Sequence, residues 1–159
     1  MLKISKIFIF ILGLAYFFYS FDKIMSKDDP SYLVNAISQC DIDPQRNDCL
    51  KNAIEDIRGK FKLQEIINTF QKNINTPEFF SNCHTALHFL GQEEYKRGQN
   101  VTQSLISGTP LCFAGYYHGV LEEHFRQNNL DVTNMLDLKN EAKSICGNKS
   151  SFAAEREYF

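Results

Sequence analysis

From residue 31 onward, apolar residues recur every three or four positions, a spacing that leaves little room for any fold but a helical one. No segment alternates between apolar and polar residues as a half-buried strand does. Prolines at early helical positions and glycines after the last periodic residue mark helix starts and ends. We therefore predict an all-α fold in which a compact bundle of about six helices covers residues 31–40, 44–61, 63–74, 76–98, 109–129 and 131–146.

The N-terminal segment has the pattern of an export signal. Lys3 and Lys6 precede residues 7–21, which are 15 positions without a charged side chain. Cleavage normally needs small residues after such a run, and here only Ser20 stands among bulky aromatic neighbours. Residues 4–25 are also long enough to cross a bilayer as one helix. We therefore predict an uncleaved signal-anchor and linker in residues 1–27, in preference to a cleaved signal peptide.

The charge balance describes the rest of the chain, residues 28–159, as an acidic domain. The whole chain has a net charge of −2, and residues 1–27 carry four Lys and one Asp, which leaves −5 on the remainder. Such a domain lacks the basic face of a nucleic-acid binder. Lysines ahead of the apolar run keep the N-terminus cytoplasmic, so we expect this domain to be extracytoplasmic: periplasmic, extracellular or lumenal. The expected partners are the membrane, through the N-terminal helix, and a membrane protein.

Three histidines and one glutamate occupy two neighbouring segments that we predict to be helical. His84 and His88 are four residues apart, as are His118 and Glu122, so each pair projects from one helix face. The connection between the helices is short, which favours an antiparallel hairpin. In that register His88 lies beside His118, and His84 beside Glu122. Facing helices that each supply such a pair commonly build metal sites, and we predict these four side chains as ligands.

Three imidazoles and a carboxylate suit Zn, Cu or non-haem Fe. Haem is less favoured because the chain has no C-x2-C-H sequence for covalent attachment. The absence of H-E-x-x-H disfavours a zincin-type protease. A hydrogen-bond network without metal and a chance arrangement remain alternatives. The register is ambiguous by one residue, so His124 either replaces Glu122 or lies outside the site.

These two segments resemble an uncharacterised family of exported or membrane-anchored microbial proteins. The motif reads C-H-x3-H-x2-G in residues 83–91 and C-x2-G-Y-x-H-G in residues 112–119, with an acidic residue soon after. The resemblance covers residues 80–125 and brings no established activity with it. It implies that the centre of the protein is formed by Cys83, His84, His88, Gly91, Cys112, Gly115, His118 and Gly119.

Five cysteines agree with an oxidising compartment and leave at least one without a partner inside the chain. Cys40 and Cys49 flank a short polar turn, and we predict that they form a disulfide. Cys112 with Cys146 is the second expected pair, because the antiparallel register separates Cys83 from Cys112. Cys83 is then either a free thiol able to serve as a soft metal ligand or a small buried residue.

Two functions compete at this point. The first is a membrane-anchored extracytoplasmic metalloprotein, catalytic or redox-active, with an unassigned reaction. The alternative is a non-catalytic accessory subunit of a larger membrane complex, in which the histidines form a structural hydrogen-bond network. The histidine pattern favours the first, and the aromatic face of the anchor favours the second.

Overall fold

The computed structural model describes residues 31–131 and 133–147, and these residues confirm the all-α class. They form seven α-helices and no strand. A single 3₁₀ turn, Cys40–Ile42, follows the first helix. The helices are α1 (Ser31–Gln39), α2 (Arg46–Lys60), α3 (Leu63–Asn73), α4 (Pro77–Gly98), α5 (Val101–Ile106), α6 (Leu111–Gln127) and α7 (Met135–Gly147).

The predicted signal-anchor, residues 1–27, lies outside the described residues. Among the helices that the structure does describe, none combines the length and the apolar character needed to cross a membrane.

Helix boundaries follow local chemistry. Pro77 occupies an early position of α4, where its missing N–H is not needed, and Lys96 and Arg97 lie in the last turn, where positive charge is favourable. The side chain of Asn100 caps α5 by accepting a hydrogen bond from the backbone N–H of Gln103 at 2.9 Å. Local signals and apolar periodicity placed six of the seven helices near their observed positions. The cap of α5 alone did not predict it, because a helix of six residues has too short an apolar pattern.

The core lies between the first four helices and α6. Each contributes an apolar stripe that is shielded from solvent, as the helical periodicity predicts. Two polar links also join α2 to α4: Arg46 donates to Asn82, and Arg58 pairs with Glu94. The largest fully buried side chains are Tyr116, Phe70, Phe79, Leu33, Ile37, Leu50, Ile54, Ile57, Ile66, Leu87, Leu90 and Val120.

Helices α4 and α6 run parallel, and the predicted antiparallel hairpin is wrong. Cys83 is bonded to Cys112, and Tyr95 lies beside His124, each pair being separated by 29 residues. In parallel helices, the residue numbers of neighbouring positions differ by a constant amount. In antiparallel helices, it is the sum of the two residue numbers that stays constant. The reason is the connection, which contains α5 and carries the chain back to the beginning of α4 before α6 starts.

Three glycines allow the two parallel helices to touch through their backbones. A Cβ on Gly119 would overlap the carbonyl oxygen of His88, and a Cβ on Gly115 would overlap that of His84. On the other helix, a Cβ on Gly91 would overlap the carbonyl oxygen of Tyr116. Only glycine fits at such a contact, which brings the histidines of α4 close to those of α6.

The disulfides follow from the same geometry. Cys40 and Cys49 are bonded, as predicted, with their Cα atoms 5.6 Å apart. Cys83 and Cys112 form the second disulfide, with a Cα separation of 5.7 Å. The expected Cys112–Cys146 pair is therefore wrong, and Cys83 is neither a free thiol nor a metal ligand. Both errors came from the antiparallel register, which placed Cys83 and Cys112 at opposite ends of the hairpin.

Candidate metal centre

The four predicted ligands lie together on the α4–α6 pair, in a different pairing from the one expected. The ring centroids of His84 and His118 are 5.4 Å apart, and those of His84 and His88 are 6.5 Å apart. Nε2 of His88 lies 2.8 Å from Oε2 of Glu122. The sequence register paired His88 with His118 and His84 with Glu122. That pairing is corrected because the helices are parallel.

His84 is held in one tautomer by a backbone group. Its Nδ1 lies 2.9 Å from the carbonyl oxygen of Cys112. Because a carbonyl oxygen can only accept, Nδ1 carries the hydrogen, and in the neutral ring Nε2 keeps its lone pair. Metal-binding histidines commonly donate their second nitrogen to a carbonyl or carboxylate in this way.

The start of α6 has an unusual backbone where it supplies that carbonyl. Cys112, Phe113 and Ala114 have φ values of 52°, 57° and 60°, so they form a left-handed turn ahead of the regular helix. Side chains with a Cβ adopt this conformation at a cost of about 1–2 kcal/mol per residue. The disulfide between Cys112 and Cys83 attaches this turn to α4 beside His84.

His88 is shifted toward its neutral form. Partial burial lowers its pKa below the usual value, and the charges of nearby His84 and His118 lower it further. Glu122 acts in the opposite direction, through its negative charge and its hydrogen bond. Since the carboxylate can only accept, His88 donates from Nε2, and an ion bound through this nitrogen would have to replace that hydrogen bond.

The cluster opens to solvent on the α6 side. The His118 side chain is exposed, and the Glu122 side chain retains 59% of its accessible surface. In residues 31–131 and 133–147, no group of three or more His, Cys, Asp or Glu side chains is arranged to hold a metal ion. Metal binding would therefore require new rotamers. The exposed side chains of His118 and Glu122 have the most space to change rotamer, and Glu122 would have to leave its hydrogen bond with His88.

His124 belongs to a separate cluster, which agrees with the alternative that it lies outside the site and not with the one that puts it in place of Glu122. Its Nε2 donates to Glu141 at 2.7 Å, which makes Nδ1 the acceptor for the hydroxyl of Tyr95 at 2.9 Å. Asn128 also donates to the Tyr95 hydroxyl, at 3.2 Å. Sequence reasoning missed this cluster, although Tyr95 and His124 have the same separation as the bonded cysteines.

The α4–α6 pair thus brings together three imidazoles, two of them in a defined tautomer, and an exposed carboxylate. Side chains of these types exchange protons near neutral pH and serve as metal ligands in other proteins. Comparisons of the chain with protein-family models, with curated proteins and with solved structures returned no match.

Proposed function

We propose that this protein is a membrane-anchored, extracytoplasmic metalloprotein that binds one divalent transition ion through His84, His88 and His118, with Glu122 as the fourth ligand. The observation that carries the proposal is the hydrogen bond from Nδ1 of His84 to the Cys112 carbonyl. It leaves the lone pair of Nε2 free in a ring whose centroid is 5.4 Å from that of His118. Neither nitrogen of His118 has a hydrogen-bond partner among the described residues.

The donor set narrows the choice of ion. Neutral imidazoles with one carboxylate favour Zn²⁺, Cu²⁺ or Fe²⁺ over Mg²⁺ or Ca²⁺, which prefer oxygen ligands. Cys83 and Cys112 are unable to contribute thiolates because they are bonded to each other. A haem-type site is less favoured. Two axial histidines would have to stand on opposite sides of the haem, whereas here the carboxylate of Glu122 occupies the space next to His88.

The positions of the cysteine, histidine and glycine motif in residues 83–119 support the same site. Cys83 and Cys112 join the helices, and Gly91, Gly115 and Gly119 set their close approach. The three histidines stand on the exposed side of this contact. All eight motif positions therefore act on one feature, the α4–α6 pair, and this favours a function that resides there.

Metal titration of the purified full-length chain tests the proposal. We expect Zn²⁺ or Cu²⁺ to bind with one-to-one stoichiometry in calorimetry. His84→Ala, His88→Ala and His118→Ala should each weaken binding at least about tenfold. The matched control is His124→Gln, which removes the remaining histidine of the chain from a separate cluster. Equal affinity of His84→Ala and the unaltered chain would overturn the proposal.

The anchor and the compartment form a separate part of the proposal. The uncharged residues 7–21 and the two disulfides both support an exported, membrane-attached protein. We expect the chain to remain in the membrane fraction after carbonate washing, with its N-terminus intact. A soluble form that begins between about residues 20 and 27 would show that the segment is a cleaved signal.

Two observations favour the accessory-subunit alternative. His84 and His88 already hold hydrogen-bond partners, Cys112 and Glu122, without an ion. Beside them, Phe80 and Phe113 form an exposed edge-to-face pair of the kind that protein partners cover. Elemental analysis and a UV–visible spectrum of the isolated protein separate the two functions. An absence of Zn, Cu and Fe, together with no affinity for added ions, would favour the subunit.

A further inference from the structure

One face of α6 is lined by no other helix of the described residues. A groove of about 700 Å³ runs along this face, and all the residues that line it lie within 118–130, in α6 and the turn that follows it. Helix α4 packs against a second face, through Gly119, and α7 bonds a third face, through His124. The groove is therefore a helix surface that is open to a partner.

This groove face carries side chains at the spacing that joins two helices. His118, Leu121 and Phe125 follow each other at intervals of three and four residues, so they lie on one stripe. Leu121 and Phe125 are partly exposed, and so is Leu130 in the turn after the helix. A second helix that packs on this stripe would remove its apolar surface from water.

Two opposite charges border the stripe on one side. Glu122 and Arg126 are four residues apart, and their side chains are 59% and 64% exposed. Oε2 of Glu122 contacts His88, which leaves Oε1 available to a partner. Arg126 bonds Glu123 through Nε and Nη2, which leaves Nη1 available. This edge of the stripe therefore presents one negative and one positive group.

The order of the two charges makes the face complementary to itself in an antiparallel pair. When a two-fold axis relates two antiparallel helices, the same edge of each helix faces the other, and each contact occurs twice. With the axis level with residue 124, Glu122 of each copy lies level with Arg126 of the other. Leu121 and Phe125 of the two copies then alternate along the seam. In a parallel pair, each charge would lie level with the same charge.

We propose that this face of α6 binds the same face of a second copy of the chain. The antiparallel pair would be joined by the apolar contacts of Leu121 and Phe125 and by two ion pairs between Glu122 and Arg126. The inference is independent of the proposed metal site, because none of these contacts needs an ion. An interface of one helix face per copy is small, so we expect a reversible dimer with a dissociation constant of about 1–100 µM.

Sedimentation of the purified full-length chain in detergent, with a chelator present, tests this pairing. We expect the mass to rise from one copy to two across that concentration range. Glu122→Arg places like charges at both ion pairs and should weaken the dimer at least about tenfold. Addition of Arg126→Glu should restore much of the lost affinity, because opposite charges face each other again. The matched control is Glu55→Arg, the same charge reversal on α2, which should have no effect.

Photo-cross-linking locates the interface without a change of charge, and it avoids any disturbance of Glu123 by substitution of its partner Arg126. Phe125→p-benzoylphenylalanine places a reactive ring at the centre of the stripe, and irradiation should give a covalent dimer. Mass spectrometry should find the cross-linked residue of the second copy on α6 or in the turn after it. Ile42→p-benzoylphenylalanine is the control, since this side chain is 89% exposed in the 3₁₀ turn after α1 and should give no dimer.

Three outcomes would overturn the inference. The first is a chain that stays monomeric above the expected concentration range. The second is a dimer that is equally stable in the Glu122→Arg variant and cross-links equally well from positions 42 and 125, because it would form through another surface. The third is cross-linking of position 125 to a different protein, without any covalent dimer, in the membranes that contain the chain. That result would assign the groove face to the other protein.

Discussion

Gly119 of α6 packs directly against the backbone carbonyl of His88 on α4. This contact fixes the register of the two parallel helices. A shift by one residue in either direction would put a residue with a side chain where only glycine fits. In this alignment the ring of His118 lies against that of His84, and the carboxylate of Glu122 lies against the ring of His88. The helix contact and the candidate centre are therefore parts of the same arrangement.

A substitution at the contact between Gly119 and His88 should disrupt both the helix packing and the candidate centre. Gly119→Ala places a Cβ against the carbonyl of His88, and the backbone has to move to admit it. We expect a loss of more than about 3 kcal/mol in the free energy of unfolding, measured by urea denaturation, or a failure to fold.

Gly59→Ala is the matched control for this prediction. Gly59 lies inside α2, and a Cβ there would meet nothing within 4 Å. Alanine in a helix interior is more favourable than glycine by about 0.5–1 kcal/mol, so the control should be slightly more stable than the unaltered chain. Similar losses in both variants would contradict the close contact between α4 and α6.

The positions of the helices can be predicted from the sequence, because the signals that start and end a helix are local. Thr76-Pro77 and Gly98 bound α4 in the sequence as they do in the structure. The direction of α6 relative to α4 cannot be predicted in the same way, because it depends on the short helix α5 in the connection. That helix has six residues, and its amphipathic pattern is too short to recognise. Treating residues 99–110 as a turn reversed the direction of α6.

The site shows the same division between local and long-range information. The i, i+4 spacing placed His84 and His88 on one face, and this holds in either direction of α6. Their partners on α6 depend on the register, so the predicted pairs were exchanged. The role of Gly119 was anticipated only as space around His118. Its contact with the His88 carbonyl depends on the parallel packing.

The second disulfide should stabilise the fold and the site, whereas the first should stabilise the fold alone. The chain-entropy relation gives about 3.6 kcal/mol for the 29-residue separation of Cys83 and Cys112, and about 2.6 kcal/mol for the 9-residue separation of Cys40 and Cys49. We therefore expect the Cys83→Ser/Cys112→Ser variant to lose more stability in denaturant unfolding than the Cys40→Ser/Cys49→Ser variant.

Metal affinity should distinguish the two disulfide variants more sharply than stability does. Loss of the Cys83–Cys112 bond frees the turn whose carbonyl orients His84, so Zn²⁺ affinity should fall about tenfold. The Cys40–Cys49 bond joins the 3₁₀ turn after α1 to α2, elements that carry none of the histidines. An equal effect of both variants on Zn²⁺ binding would mean that the turn does not position His84.

Glu123 should make the stability of the protein dependent on acidic pH. Hydrogen bonds from Arg126 lower the pKa of its carboxyl group, and a bond from Gln127 at 2.7 Å acts in the same direction. A carboxyl whose pKa is lower in the folded state contributes stability that is fully present above its unfolded pKa of about 4.3. This contribution is lost as the pH falls through the lower, folded-state value.

The variant Glu123→Gln tests this dependence. It should be less stable than the unaltered chain at pH 7, and the difference should shrink as the pH falls below about 4.3, where the native carboxyl also becomes neutral. Thermal unfolding at a series of pH values measures it. A difference that stays constant down to pH 2 would assign the effect to packing instead of charge.

The attachment of helix α7 should depend on its polar contact with His124 of α6. Its Met135 and Leu136 are 77% and 64% exposed, whereas Ile145 is buried. Among the described residues, the polar link from α7 to α6 is Glu141, which accepts a hydrogen bond from Nε2 of His124. Glu141→Ala removes this acceptor and leaves a buried donor on His124, a loss of about 1–2 kcal/mol. Local opening of α7 should therefore become about tenfold more frequent.

Amide hydrogen exchange of residues 135–147 should accelerate by that factor, while exchange in α4 stays unchanged. Lys143→Ala, an exposed change on the same helix, should leave both rates as they are. Unchanged exchange in the Glu141 variant would show that Ile145 holds the helix by itself.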